Sequence, residues 1–256
     1  MLEDTGIRLA DSKRELVYGR VTRRLRALGL DSFRAYRALL ERDDGREREA
    51  LRSVITTKLT AFGREAHHFD HLRDQLLRPW AAAGARGRLR IWSAGCASGE
   101  EPYSIAMAVA KAVPQWQRCD IRILATDIDE SVLDHARAAT YTPAQVARVP
   151  FADRERHFVR VADGEGVRYR LRPALAALVT LRQLNLIGEL PMRGPLDAIF
   201  CRNVAIYFDR QAQQRMYARF ARLQRAGDLL FVGHSESLHG ISDDYALVGR
   251  TIYRRR

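Results

Sequence analysis

Residues 91–104 read Ile-Trp-Ser-Ala-Gly-Cys-Ala-Ser-Gly-Glu-Glu-Pro-Tyr-Ser, and residues 125–129 read Ala-Thr-Asp-Ile-Asp. An apolar strand runs into a small-residue turn with Gly95 and Gly99. A helix then begins near Pro102, with Ile105, Ala106, Val109 and Ala110 as its packing face. A second apolar strand ends on Asp127. A doubly wound sheet holds a nucleoside in this way: glycines let the backbone approach the ligand, and a carboxylate at the next strand end takes the ribose hydroxyls. Two glycines at this spacing recur in many loops, so Glu100 and Glu101 are what sharpen the reading. A pyrophosphate site would avoid negative charge in that turn, whereas a cationic ligand favours it. S-Adenosylmethionine, with its ammonium and sulfonium groups, is the ligand that fits.

Other strand ends add polar residues. Asn185 follows an apolar run at 179–184, and Asn203 follows one at 196–201. Open α/β sheets place their ligands at such C-terminal strand ends; Asx-turn chemistry accounts for Asn185 equally well, and a turn-forming role is the lesser reading for Asn203. Gly233-His-Ser-Glu236 follows another strand and reads as structural, because His234 has no partner visible in the sequence. Tyr207 reads first as a core residue on an apolar face and second as a residue lining the methyl site. The dense segment 56–69, Thr-Thr-Lys-Leu-Thr-Ala-Phe-Gly-Arg-Glu-Ala-His-His-Phe, reads as a loop between helices with histidines on its core-facing side. His68 and His71 lie one turn apart, but no third ligand is near them, so no metal site is expected.

The elements that must position these residues fall into two groups. Residues 1–75 read as an all-helical basic domain, 76–88 as a linker, and 89–256 as an α/β domain with a parallel sheet. In the first helix Val17, Val21, Leu25 and Leu28 form a stripe that leaves Arg20, Arg23 and Arg26 pointing away from it. Gly29 is its C-cap candidate, and Asp31 or Ser32 caps the next helix. Residues 43–45, Asp-Asp-Gly, make a turn. Strands are expected at 89–94, 121–126, 179–184, 196–201 and 228–232, with 246–253 as an edge strand. A β-hairpin at 158–171, within an inserted subdomain spanning about 156–174, interrupts the alternation.

A chain of 256 residues can bury a full core. No apolar run is long enough to span a bilayer, and the first residues are not of signal-peptide type, so cytoplasmic residence without membrane insertion is the expectation. Three widely spaced cysteines argue against a disulfide framework and against zinc. The net charge of +12 asks for an acidic partner. It is uneven: residues 8–37 hold nine basic residues, Arg8 and Lys13 among them, against three acidic ones.

Five motifs in register give the chain a resemblance. Thr-x-Leu-Thr-x-Phe-x-Arg-Glu-x-x-His-Phe, Gly-Cys-Ala-Ser-Gly-Glu-Glu-Pro-Tyr-Ser, Ala-Thr-Asp-Ile-Asp, Phe-Cys-Arg-Asn-Val at 200–204 and Gly-His-Ser-Glu at 233–236 appear in that order. Together they resemble the chemotaxis receptor methyltransferase (CheR) family, over nearly the whole chain. The resemblance implies a Rossmann-like class I methyltransferase sheet with an all-α N-terminal domain and a small inserted β-hairpin. It implies methyl transfer from S-adenosylmethionine to glutamate carboxylates of bacterial chemoreceptors, giving methyl esters for chemotactic adaptation in signal transduction, with S-adenosylhomocysteine as product and no metal.

Carried over by position, Lys58, Thr60, Arg64, Glu100 or Glu101, Asp127, Asn185, Leu186, Asn203 and Val204 would meet the cofactor, Arg64 also serving catalysis. Lys58 departs from the family's usual asparagine, and Gly63 replaces its usual aromatic residue. Arg20, Arg23 and Arg26 would meet the receptor's acidic methylation helices. In some relatives a receptor C-terminal peptide pairs with the edge of the β-subdomain. Two other readings are a nucleic-acid methyltransferase on the same fold and a non-catalytic module that senses S-adenosylmethionine. The first is favoured by the charge, but no aromatic-rich strand end for a flipped base is present. The second rests on Lys58 and Gly63 alone.

Overall fold

The computed structural model describes residues 14–55, 58–164 and 166–256. Arg8 and Lys13 of the basic run, and Thr56 and Thr57 of the loop segment, lie outside them. Helices α1 (Arg14–Ala27), α2 (Phe33–Arg42) and α3 (Arg46–Ile55) form a small bundle. Gly29 takes a positive φ after α1, and the Leu30 N–H returns to the Leu25 carbonyl at 2.9 Å, a Schellman-type stop. Ser32 is the N-cap of α2, accepting from the Ala35 N–H, and the Asp43 carboxylate accepts from the N–H groups of Gly45, Glu47 and Arg48 to start α3. Val21, Leu25, Tyr36, Leu51 and Ile55 make the bundle core. Glu47, the one buried acid of the bundle among the described residues, is satisfied by Tyr36 Oη at 2.7 Å and by Arg24 at 2.6 Å.

Next come α4 (Ala66–Leu72), a π-turn (Arg73–Leu77) and α5 (Arg78–Ala82). The boundary expected between a helical domain through residue 75 and a linker at 76–88 runs through this stretch. Leu72 and Leu77 are fully buried in the core of the sheet domain together with Phe62, so the chain from residue 58 onward packs with the sheet.

The α/β body continues with β1 (Arg88–Ala94), α6 (Glu100–Ala112), β2 (Asp120–Asp127), α7 (Glu130–Ala138), β3 (Thr140–Tyr141), α8 (Pro143–Val146), α9 (Phe151–His157), β4 (Phe158–Asp163) and β5 (Gly166–Leu171). It ends with α10 (Pro173–Ala176), β6 (Val179–Gln183), β7 (Ala198–Cys201), α11 (Arg210–Arg222), β8 (Leu229–Val232), β9 (Tyr245–Gly249) and β10 (Ile252–Arg255). The large sheet has the order β6-β2-β1-β7-β8-β10-β9. Its first five strands are parallel, and β10 runs antiparallel to both neighbours. Every residue of β7 and β8 is buried, as expected of parallel strands covered on both faces. Ile91, Ile123, Phe200 and Phe231 face Ile105, Val109 and Leu72 on one side. Trp92, Ile199, Leu230 and Val232 face Met216, Tyr217 and Phe220 of α11 on the other.

The expected edge strand at 246–253 is instead two strands. Thr251 takes a φ of 56° and reverses the chain, so β10 inserts between β8 and β9. The hairpin at 158–171 forms as β4 and β5, and β3 joins it in a three-stranded antiparallel sheet of order β3-β5-β4.

Candidate active site

The strand order reverses between β1 and β7, and a crevice opens there at the C-terminal strand ends. Gly95 (φ 87°) follows β1, and Gly99 (φ 97°) is the residue on which α6 begins. Both need glycine. A Cβ on Gly95 would overlap Val204, and one on Gly99 would press on Tyr141 and Ala136. The Gly95 and Cys96 N–H groups donate to the Thr126 carbonyl, which holds the turn against β2. Asp127 ends β2, and its carboxylate accepts from the Ala97 N–H at 2.9 Å and the Asp129 N–H at 3.0 Å.

A cavity at this crevice is lined by Lys58, Thr60, Arg64, Glu101, Asp127, Asn185, Leu186, Asn203 and Val204 among others. These are nine of the ten positions carried over from the resemblance. The tenth, Glu100, does not line it: its carboxylate is turned away, accepting from Ser98 Oγ at 2.7 Å and Gln145 Nε2 at 3.2 Å. Of the two turn carboxylates, Glu101 is the one that faces the cavity, held by Ser93 Oγ at 2.7 Å and Arg202 at 3.2 Å.

Lys58 stands at the wall, but its ammonium is committed elsewhere. It pairs with Asp129 at 2.7 Å and donates to Ser53 Oγ at 2.7 Å and Ser131 Oγ at 3.1 Å, bridging α3 to the start of α7. Burial works to raise the Asp129 pKa, yet Lys58 and Ser131 outweigh it and Asp129 lies below the usual carboxylate range. Arg64 folds back on its own loop, donating to the Leu59 carbonyl at 2.7 Å. Gly63 has a φ of 64° and open space where a side chain would stand.

Further residues outside the cofactor set carried over above complete the frame. Arg202, only 3% exposed in its side chain, donates to the Arg64 carbonyl and lies between Glu101 (3.2 Å) and Glu65 (3.3 Å). Glu65 also accepts from the His234 N–H at 3.3 Å and meets His234 Nδ1 at 3.0 Å, so His234 does have a partner. Burial pushes Glu65 up, but Arg202 and His234 overcome it and Glu65 stays below the ordinary value. Glu236 accepts from the N–H groups of Gly233 (2.6 Å) and Asn203 (2.8 Å), fixing Asn203 in its left-handed conformation. Arg202 and Glu236 both stand inside quoted motifs, so their signal was present in the sequence; what they touch was not. His68 packs edge-on to Phe231 and meets Thr251 Oγ1 at 3.0 Å, and its burial lowers its pKa to about 3. Tyr207 lines the cavity and also packs on the bundle core.

Arg20 is held within the bundle. Its guanidinium donates to the Val54 and Ile55 carbonyls at 3.2 Å, so it stitches α1 to the end of α3. Arg23 and Arg26 are exposed.

The donor set fits a cationic nucleoside ligand. Burial raises the pKa of Asp127 against the pull of its two N–H donors, and raises that of Glu101 against Arg202 and Ser93. Two acids strained in this way gain from a positive charge placed between them.

Comparison with known proteins agrees. The family described as CheR methyltransferase, SAM binding domain, matches residues 58–254, and that described as CheR methyltransferase, all-alpha domain, matches residues 1–56. The chain is 41% identical over 255 residues to the probable chemotaxis protein methyltransferase of Rhizobium etli, covering 98% of this chain and 95% of that one. It is 43% identical over 250 residues to the chemotaxis protein methyltransferase of Klebsiella aerogenes, covering 97% and 84%. With that of Escherichia coli it shares 42% identity over 254 residues, covering 97% and 85%.

Proposed function

The chain belongs to the CheR methyltransferase family and carries its S-adenosylmethionine-binding domain, and from that premise we propose that it methylates glutamate side chains on the cytoplasmic methylation helices of chemoreceptors. The observation that supports this most is the cavity itself: the buried Glu101, the half-buried Asp127 and two arginines, Arg64 and Arg202, at the junction of a nucleoside-binding crevice with a basic helical bundle. In this reading Asp127 takes the ribose, Glu101 the methionine ammonium, and Asn185 with Leu186 the adenine. Asn203 and Val204 enclose the methionine portion, and Thr60 and Arg64 close the loop over it. Lys58 adds its stem to the wall while its charge stays on Asp129.

The bound cofactor supplies a methyl group already activated by its sulfonium, and a glutamate with a pKa of ~4.3 is already ionised at neutral pH. No general base is needed. The protein aligns the incoming carboxylate with the methyl group and keeps water from the nucleophile, an alignment that lowers barriers by roughly 7–11 kcal/mol in favourable cases. Arg64 steers the carboxylate, and its hold on the Leu59 carbonyl keeps that steering loose enough to leave the oxygen nucleophilic. The reaction takes place in the cytoplasm, where receptor methylation helices lie. No described helix is long and apolar enough to cross a membrane. The outer edge of β4, unpaired among the described residues, supports a second contact with a receptor C-terminal peptide by strand addition.

Incubation with labelled S-adenosylmethionine and an acidic chemoreceptor fragment tests the reading. Alkali-labile methyl esters are expected, with Arg64→Ala lowering turnover about 100-fold at unchanged fold. Alkali-stable label on nucleic acid would support the nucleic-acid reading instead. Cofactor binding without transfer to any receptor fragment would leave only a sensing role.

A further inference from the structure

We infer that Leu59 is an apolar docking point at the rim of the donor cavity, on which the substrate helix seats, and that it selects helices with an apolar side chain one turn from the target glutamate. This rests on the function proposed above. Leu59 is 75% exposed, the most of any large hydrophobic residue among the described residues, and it stands beside the cavity where the carboxylate must enter. Ile206, chain neighbour of the cavity-lining Tyr207, is a second exposed aliphatic at 38%.

The backbone around Leu59 is fastened. Its own carbonyl accepts from Arg64 at 2.7 Å, and Lys58 before it is held by Asp129, Ser53 and Ser131. Beyond it, the Gly63 N–H donates to Ser104 Oγ at 3.0 Å. A leucine held in water by a fixed loop gains free energy only when a partner covers it. The charges around it say what that partner is. Lys58 is neutralised by Asp129, which leaves Arg64 as the cation at the rim, and Arg23 lines the shallow basic groove that adjoins Lys58. A helix presenting acids to Arg64 and Arg23, and an apolar side chain to Leu59, matches both features. Residues three or four apart on a helix lie ~5–6 Å from each other, the distance needed to serve the cavity and its rim together.

Leu59→Ser and Leu59→Met are compared with the wild type by ester formation on a soluble chemoreceptor cytoplasmic fragment, with S-adenosylhomocysteine affinity measured by calorimetry. Leu59→Ser is expected to raise KM for the fragment about tenfold, the loss of one partly buried leucine, with kcat and S-adenosylhomocysteine affinity within about twofold. Leu59→Met restores the KM. Replacing by serine the fragment's apolar residue three or four positions from the methylated glutamate raises the wild-type KM to a similar extent and adds little on top of Leu59→Ser. An unchanged KM, full additivity, or a loss of S-adenosylhomocysteine affinity in step with KM would each overturn the inference. Absence of ester formation by the wild type would overturn the functional reading, and this inference with it, and is distinguishable from an unchanged KM.

Discussion

Glu101 and Asp127 are carboxylates that folding forces into one cavity, and burial holds both above their usual pKa. Their ionised forms are the ones a cation stabilises. Affinity for S-adenosylhomocysteine, whose ammonium is positive at neutral pH, therefore falls as pH falls, with an onset above the ordinary carboxylate range. Calorimetry between about pH 8 and pH 5 reads this directly. Glu101→Gln keeps the shape and removes one charge, so it should weaken binding roughly 10- to 100-fold and shrink the acid limb. A wild-type affinity flat across that span would contradict these assignments. At this scale the sequence revealed residue types and strand ends but not orientations. Glu100 and Glu101 are adjacent on a helix, and a helix turn of about 100° per residue puts one carboxylate into the cavity and the other against Gln145. Arg202 was hidden for another reason: its partners Glu65 and Glu101 are distant in sequence and meet only through the sheet.

Among the elements, α1 shows what periodicity can and cannot tell. The stripe of Val21 and Leu25 was legible because it depends on α1 alone. The same spacing sent Arg20 to solvent, whereas the end of α3 lies where its guanidinium reaches, and open helix-terminal carbonyls attract it. The three arginines thus separate into one that ties two helices together and two that are exposed. Arg20→Ala should lower unfolding free energy by about 1 kcal/mol in urea titration. Reversing Arg23 and Arg26 to Glu should leave stability within about 0.5 kcal/mol, slow receptor methylation and flatten its salt dependence. Equal methylation rates at low and high salt in the wild type would remove the steering role. The sheet ends in two strands rather than one because only Arg250 and Thr251 separate Tyr245–Gly249 from Ile252–Arg255, and a non-glycine residue at positive φ gives little warning in sequence.

For the molecule as a whole, the bundle and the sheet meet at the site rather than away from it. Lys58 ties Ser53 of α3 to Asp129 and Ser131, Gln183 Nε2 donates to Glu49 at 3.1 Å, and Tyr207 and Phe208 pack on the bundle core. A ligand seated in this cavity engages the native state of both bodies and not the unfolded chain. S-Adenosylhomocysteine at 100 times its Kd should add about 2.7 kcal/mol to unfolding, raising Tm by roughly 5–10 °C in a single transition. Two transitions, only one of them shifted, would mean that the bodies unfold independently.

The bridging ammonium of Lys58 has a consequence for how the chain can be divided. A fragment beginning at Arg88 would keep the sheet and its glycine turn, yet it would lose the lysine that balances Asp129, the arginine at the cavity mouth, and the apolar cover over Tyr207 and Phe208. Such a fragment would be a sheet with an open flank and an uncompensated acid, so the donor pocket belongs to neither half and exists only where the two are joined.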